Sequence, residues 1–311
     1  MTPAARVAAA ADILDRRRAG DERAEALIRR WGRENRFAGS KDRRAISDIV
    51  YDCLRRLRSY GWLADGEDGR ALVLGRALAL GGDPRADFSG VGHALSALSK
   101  AEARRVAFVG DDPEAALAGA PDGVRLDFPD WLSDRLRASL GADFETALQA
   151  LQARAPVDLR VNRLRADPET ARAAIAAHDP SLSPETVTEA PDALRLPPGA
   201  RLAGARALDD GLVELQDAAS QAGAALAAPA AGERILDYCA GGGGKALAFA
   251  SLTGGRARIA AHDVAPQRMR DLPARARRAW ADIEIVEPED LPALEGACDL
   301  VFVDAPCSGS G

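Results

Sequence analysis

Four consecutive glycines, Gly241 to Gly244, separate a strand-like run, Arg234 to Cys239, from a helix-like run, Lys245 to Leu252. Glycine loses more backbone freedom on ordering than any other residue, so such a run continues neither element and marks a turn between them. The alternation extends in both directions: helix Asp217 to Ala228 precedes it, and strand Arg258 to Asp263, helix Ala265 to Trp280, strand Ile283 to Glu287 and strand Asp299 to Asp304 follow. Strands spaced by helices predict a parallel, doubly wound sheet. Pro273 is expected to kink or split the third helix.

Upstream the pattern differs. From Ala4 to Leu63 apolar residues recur at helical spacing, for example Ile46, Ile49, Val50, Leu54 and Leu57, and helix-like material continues through Arg70 to Ala79, His93 to Val106 and Asp112 to Ala118. Pro129-Asp130-Trp131 opens another helix. Val157 to Asn162 alternates as a half-buried strand, Pro168 to Ala177 reads as helix, and Thr186 to Leu196 reads as extended with a Pro-Asp turn inside it. The expected fold is thus α + α/β in three parts: a helical domain over 1–125, a small α/β linker subdomain over 126–212 and a Rossmann-like domain over 213–311.

Composition narrows the functional classes. No apolar stretch has the length of a membrane span or the form of a signal peptide, so a cytoplasmic protein without membrane contact is expected. Cys53, Cys239, Cys298 and Cys307 have no paired spacing, which suits a reducing compartment, and three scattered histidines give no metal cluster, so no metal is expected. The net charge is −6, yet residues 1–65 carry 15 Arg and Lys against 10 Asp and Glu. Clusters such as Arg16-Arg17-Arg18 and Lys41-Asp42-Arg43-Arg44 are either solvated helix faces or phosphate-binding patches.

The loop Cys239-Ala240-Gly241-Gly242-Gly243-Gly244-Lys245, followed by Asp263 at the end of the next strand, has the layout of a nucleotide-type cofactor site. Glycines let backbone approach a ligand, a helix N-terminus offers N–H groups to an anion, and the carboxylate accepts bonds from ribose hydroxyls. Strict G-x-G-x-x-G is missing, which disfavours a dinucleotide and an NAD-dependent oxidoreductase, and favours S-adenosyl-L-methionine. Asp304-Ala305-Pro306-Cys307 then delivers a carboxylate and a thiol where strand ends meet ligands. The thiol is either a reactive group or a small buried hydrophobe.

These motifs, in order, resemble the RsmB/Sun family of RNA cytosine-C5 methyltransferases: Gln216-Asp217-Ala218-Ala219-Ser220-Gln221, Asp237-Tyr238-Cys239-Ala240 with Gly243-Gly244-Lys245, Asp263, and Asp304-Ala305-Pro306-Cys307-Ser308-Gly309. The segment Arg36-Phe37-Ala38-Gly39-Ser40-Lys41-Asp42-Arg43 is similar to the NusB-like RNA-binding extension of that family. One departure is Gly242, where the family usually has Pro, which leaves the loop more flexible. The resemblance implies S-adenosylmethionine-dependent methylation of cytosine C5 in RNA, ribosomal RNA above all, through a cysteine adduct at C6. Asp304 and the cofactor loop are its expected site, and the resemblance implies an acid after the third strand near the adenine end, for which Glu287, Glu289 and Asp290 compete and Asp290 is taken. Residues alone would nominate Cys307 as nucleophile; the resemblance makes it the second cysteine, which assists product release, and puts the nucleophile on a later loop. The chain ends at Gly311 before that loop, so the domain is expected to be incomplete, inactive and prone to self-association through an unpaired Leu300 to Val303 edge. A non-catalytic NusB-like RNA-binding protein with a vestigial methyltransferase domain is the rival reading.

Overall fold

The computed structural model describes residues 1–305, which separate into two compact units, Met1–Arg154 and Ala155–Gly311. Cys307 and the rest of 306–311 lie outside the described residues. The first unit is helical. Its main bundle comprises Pro3–Arg18, Ala24–Glu34, Ser40–Arg55, Leu57–Ala64 and Gly69–Ala79, closed over Ile13, Ile46, Val50, Leu63 and Leu74. Thr2 caps the first helix by accepting the Ala5 N–H at 3.2 Å, and Pro3 sits where no intrahelical donor is needed.

Helix Gly69–Ala79 crosses Leu57–Ala64 so closely that a Cβ on Gly75 would overlap the Tyr60 carbonyl oxygen. The helix expected from His93 instead starts at Lys100, because Ser99 and Glu102 form a capping box and Arg70 grips Glu102 at 2.7 Å. Residues 93–99 are irregular. The turn at Pro129 leads into a short 3₁₀ segment, Asp130–Leu132, and the helix Ser133–Leu140.

The second unit contains two sheets. Strands β1 (Val157–Val161), β2 (Glu185–Val187), β3 (Ala190–Leu196) and β4 (Val213–Leu215) form an antiparallel sheet in the order β2-β3-β1-β4. The turn expected at Pro191-Asp192 lies at Thr188-Glu189 instead, and Pro191 enters β3 at a position with no partner in either ladder, where its missing N–H costs nothing. β1 is buried along nearly its whole length rather than half-buried. Its polar face is covered: Asp158 pairs with Arg195 at 2.8 Å and accepts the Ala218 N–H, and Arg160 donates to Gln216 at 2.7 Å.

Strands β5 (Arg234–Asp237), β6 (Arg258–Ala261), β7 (Ile283–Ile285) and β8 (Leu300–Phe302) form the expected parallel sheet in the order β7-β6-β5-β8. Each is shorter than the run read from sequence, because the residues beyond it turn into loops at the sheet's carboxyl edge. Helix Gly244–Leu252 joins β5 to β6. The next connection is broken as Pro273 requires, into a 3₁₀ turn, Pro266–Met269, and the helix Leu272–Ala279 with Pro273 in its first turn. β7 and β8 are the edge strands among the described residues. No described helix is long and apolar enough to cross a membrane.

Substituting Gly75→Ala is expected to destabilise the protein by about 1–3 kcal/mol, as forced overpacking does. Urea unfolding followed by circular dichroism checks this; an unchanged midpoint would contradict so close a crossing.

Candidate functional site

β5 is flanked by β6 on one side and β8 on the other, so the order of the parallel sheet reverses between β5 and β8. At such a switch point the connections leave in opposite directions and open a crevice beyond the carboxyl ends of the strands. Asp237 of β5 stands opposite Phe302 of β8, and the Tyr238 N–H donates to the Phe302 carbonyl at 2.9 Å. The glycine loop and the Asp304 segment therefore leave the sheet side by side.

The loop is held at both ends. Gly241 and Gly243 have φ of +52° and +82°, the left-handed region, and a Cβ on Gly243 would overlap the Leu272 side chain. Ala240 N–H donates to the His262 carbonyl at 2.8 Å, and Gly241 N–H donates to Asp263 Oδ2 at 2.9 Å. Asp263 is buried, accepts the Ala265 N–H at 2.9 Å as well, and lies 3.8 Å from Arg268. His262 Nδ1 in turn bonds to the Val286 carbonyl at 3.0 Å, so the ends of β5, β6 and β7 are tied together.

Beneath the loop, Asp237 is fully buried. Its Oδ2 accepts the Ala246 N–H at 3.0 Å and so caps helix Gly244–Leu252 from a distance, while Oδ1 has no partner. The first-turn N–H groups of Gly244 and Lys245 have no acceptor within the helix. Burial lifts the Asp237 carboxyl to about 6, against the pull of the Ala246 N–H and Lys245.

Lys245 reaches across the crevice to Asp304 Oδ2 at 2.5 Å and to Ser220 Oγ at 3.3 Å. The Asp304 side chain is 53% exposed, so this pair contributes little stability. Its consequence is positional: it ties the Asp304 carboxylate to the first turn of the loop helix. Cys239 is half-buried, and burial, followed by the carboxylates of Asp263, Asp237 and Asp304, pushes its thiol up, away from the thiolate a nucleophile requires. Asp290 is exposed on the 3₁₀ turn Pro288–Leu294, its N–H bonded to the Glu287 carbonyl at 3.0 Å; Glu289 shares that turn and Glu287 precedes it. None of these three joins the hydrogen-bonded network of the glycine loop.

Residues absent from the sequence-derived site complete it. Asp237 was legible as a carboxylate ending a strand directly before a glycine loop. Gln216 stands first in the Gln-Asp-Ala-Ala-Ser-Gln run; Glu214, Arg160 and Arg275 had no such signal, since the bonds that join them to one another, to Gln216 and to the loop span 28 to 61 residues of sequence. Among the described residues no group of three or more His, Cys, Asp or Glu could hold a metal ion.

Asp237 also makes stability depend on pH. Its folded value of about 6 lies above the ordinary carboxylate value of about 4, so between those pH values the folded chain retains a proton that the unfolded chain has lost. Stability therefore falls as pH rises through that window. Asp237→Asn keeps an acceptor for Ala246 and is expected to stabilise the protein at pH 8 by on the order of 2 kcal/mol, with no gain at pH 4. Urea titrations at both pH values check this, and an equal effect at both would contradict it.

Comparison with known proteins bears on the family and the fold. Residues 128–201 match the family described as Methyltr_RsmF/B-like, ferredoxin-like domain, and residues 224–311 match the family described as 16S rRNA methyltransferase RsmB/F. A curated relative, ribosomal RNA small subunit methyltransferase B of Sodalis glossinidius, is 33% identical over 192 residues, 60% of this chain and 44% of its own length. The chain thus spans less than half the length of the curated relatives it matches. Among solved structures, PH0851 superposes with a TM-score of 0.66 at 18% identity, covering 99% of this chain and 75% of that one. A methyltransferase homolog protein from Pyrococcus horikoshii gives a TM-score of 0.52 at 24% identity, covering 61% and 63%. The solved structures bear out the fold. The two family matches, which together take in more than half of the chain, place it in the RsmB/F family of ribosomal RNA methyltransferases.

Proposed function

We propose that the chain carries the cofactor site and part of the base pocket of an S-adenosylmethionine-dependent methyltransferase acting on cytosine C5 of small-subunit ribosomal RNA. The observation that carries this reading is the Lys245–Asp304 contact, which joins the glycine loop and the Asp-Ala-Pro-Cys segment at one switch point. The residues present suit the cofactor. Gly243 keeps the loop free of a side chain, the buried Asp263 retains lone pairs for ribose hydroxyls, and the unpartnered Asp237 Oδ1 is an acceptor suited to an ammonium. The first-turn N–H groups of Gly244 and Lys245 suit a carboxylate.

When bound, S-adenosylmethionine supplies an electrophilic methyl group. Cytosine C5 is a weak nucleophile until a thiolate adds at C6; loss of the C5 proton later expels the thiolate and restores the ring. Asp304, exposed and aimed by Lys245, is placed to hold the base edge during that sequence. Burial and the neighbouring carboxylates push the Cys239 thiol up, which disfavours it as the attacking group. In the family scheme Cys307 assists elimination while another cysteine attacks.

The target cytosine must be unstacked from RNA, which demands anchoring elsewhere. A candidate anchor lies in the helical unit, between helices Ala24–Glu34 and Ser40–Arg55. Phe37 is 73% exposed there, surrounded in sequence by Arg33, Arg36, Lys41 and Arg43, all exposed and without side-chain ion pairs or hydrogen bonds among the described residues. The carboxylates beside them are already engaged: Asp42 with Arg6 and the N-terminal ammonium, and Glu34 with Arg16. An exposed ring among unneutralised cations suits a single-stranded RNA segment.

Incubation of 16S rRNA and methyl-labelled S-adenosylmethionine with a protein that joins this chain to the later nucleophile loop, followed by nucleoside analysis, should place label on C5 of cytidine; label on another base or on ribose would contradict the reading. Cys307→Ser should preserve, or trap, the covalent RNA adduct, whereas its loss would make Cys307 the nucleophile. Phe37→Ala should weaken RNA binding by about 1–3 kcal/mol. Arg36→Ala with Lys41→Ala should flatten the salt dependence by about 0.7 per cation. Filter binding across a salt series reads both, and wild-type behaviour in both variants would remove the anchor.

A further inference from the structure

A run of four glycines should be the most loosely ordered part of the crevice, yet two of its carbonyl oxygens are gripped from the small antiparallel sheet. Glu214 of β4 is buried, with only 4% of its side chain exposed, and binds Arg275 at 2.9 Å and Arg278 at 2.5 Å. Arg275 Nη1 then donates to the Gly242 carbonyl. A parallel strut runs through β1: Arg160 Nε donates to Gln216 Oε1 at 2.7 Å, and Gln216 Nε2 donates to the Gly244 carbonyl at 3.3 Å. Helix Leu272–Ala279, which carries Arg275, is itself anchored to that sheet, because Asn162 Nδ2 donates to both the Ala279 and the Gly211 carbonyls, at 2.8 and 2.9 Å.

We propose that Glu214 and Arg275 are positioning residues that order the glycine loop for S-adenosylmethionine, with Arg160 and Gln216 as the second strut. The inference rests on the cofactor reading above and goes beyond it by making the antiparallel sheet part of the site. In a trans peptide the carbonyl and the following N–H point in opposite directions. Holding the Gly244 oxygen therefore aims the Lys245 N–H away from Gln216, and holding the Gly242 oxygen fixes the Gly243 N–H, which donates to the Ala240 carbonyl at 2.8 Å. A loop already ordered in this way does not pay that ordering cost when ligand arrives. Gly242, the position at which the family usually has Pro, lacks a ring's stiffness, and the guanidinium brace supplies the restraint instead.

Arg275→Ala is the informative variant, because Glu214 keeps Arg278 as its partner and the fold is spared an unpaired buried carboxylate. Titration calorimetry with S-adenosylmethionine on the full chain is expected to show affinity reduced about tenfold, the scale set by one lost charge-assisted hydrogen bond. Arg275→Lys should not restore it, since an ammonium cannot bridge carboxylate and carbonyl as the planar fork does. Gly242→Pro should recover most of the loss in the Arg275→Ala background. A Cβ on Gly242 meets only the tip of Arg275, at 3.0 Å, and its φ is outside the left-handed region. Restraint by a ring can thus replace restraint by a hydrogen bond.

Amide exchange of the ligand-free chain supplies a readout independent of the cofactor: Arg275→Ala should speed exchange across 240–246 and leave helix Ala218–Leu226 unchanged. Unaltered exchange, or wild-type affinity in Arg275→Ala, overturns the proposal. A wild-type chain that binds no S-adenosylmethionine, while Arg275→Ala still loosens the loop, would instead defeat the cofactor reading and leave the brace standing.

Discussion

The parallel pairing of β5 with β8 is the constraint on which the candidate site depends. Because Asp237 aligns with Phe302, two segments far apart in sequence turn out of the sheet at one level. One is a loop built to expose backbone; the other carries the Asp304 carboxylate. A slip of one residue would turn every side chain of β8 to the other face of the sheet. The Lys245–Asp304 ion pair adds little free energy to that arrangement, but it reports that the two segments converge.

Around this pairing the protein places polar groups where apolar ones would pack more cheaply. Asp237, Asp263 and Glu214 are all buried, and each is tied to the glycine loop, to the helix after it or to the arginines that brace it. Asp237 is the costliest, with one oxygen unpartnered and its proton affinity raised by burial. Buried carboxylates of this kind are poor stabilisers and good organisers, since each tolerates few geometries. Desolvation is thus concentrated where a ligand is proposed to bind.

The fold of the parallel sheet was legible because its signals are local. Gly241 to Gly244 break strand from helix, Pro273 splits a helix, and short apolar runs alternate with amphipathic ones. Errors arose where tertiary context overrode local pattern. Asp158 and Arg160 read as the solvent face of β1 but are buried, Asp158 paired with Arg195 and Arg160 bonded through Nε to Gln216. The turn before β3 falls at Thr188-Glu189 despite the Pro-Asp that follows, and the helix after His93 waits for the Ser99 capping box. Asp263, Lys245 and Asp304 could be picked out because they flank motifs. Glu214 and Arg275 could not, since an isolated acid on a three-residue strand and one arginine among many have no pattern of their own.

The most direct test is a crystal structure of this chain grown with S-adenosylmethionine. The account predicts the amino-acid end of the ligand against the Gly242 to Lys245 backbone, its ribose within hydrogen-bond distance of Asp263, and its methyl group turned toward the side of the crevice where Asp304 stands. Ligand bound at another edge of the sheet, or beside a glycine loop with Asp304 turned to the opposite rim, would contradict it.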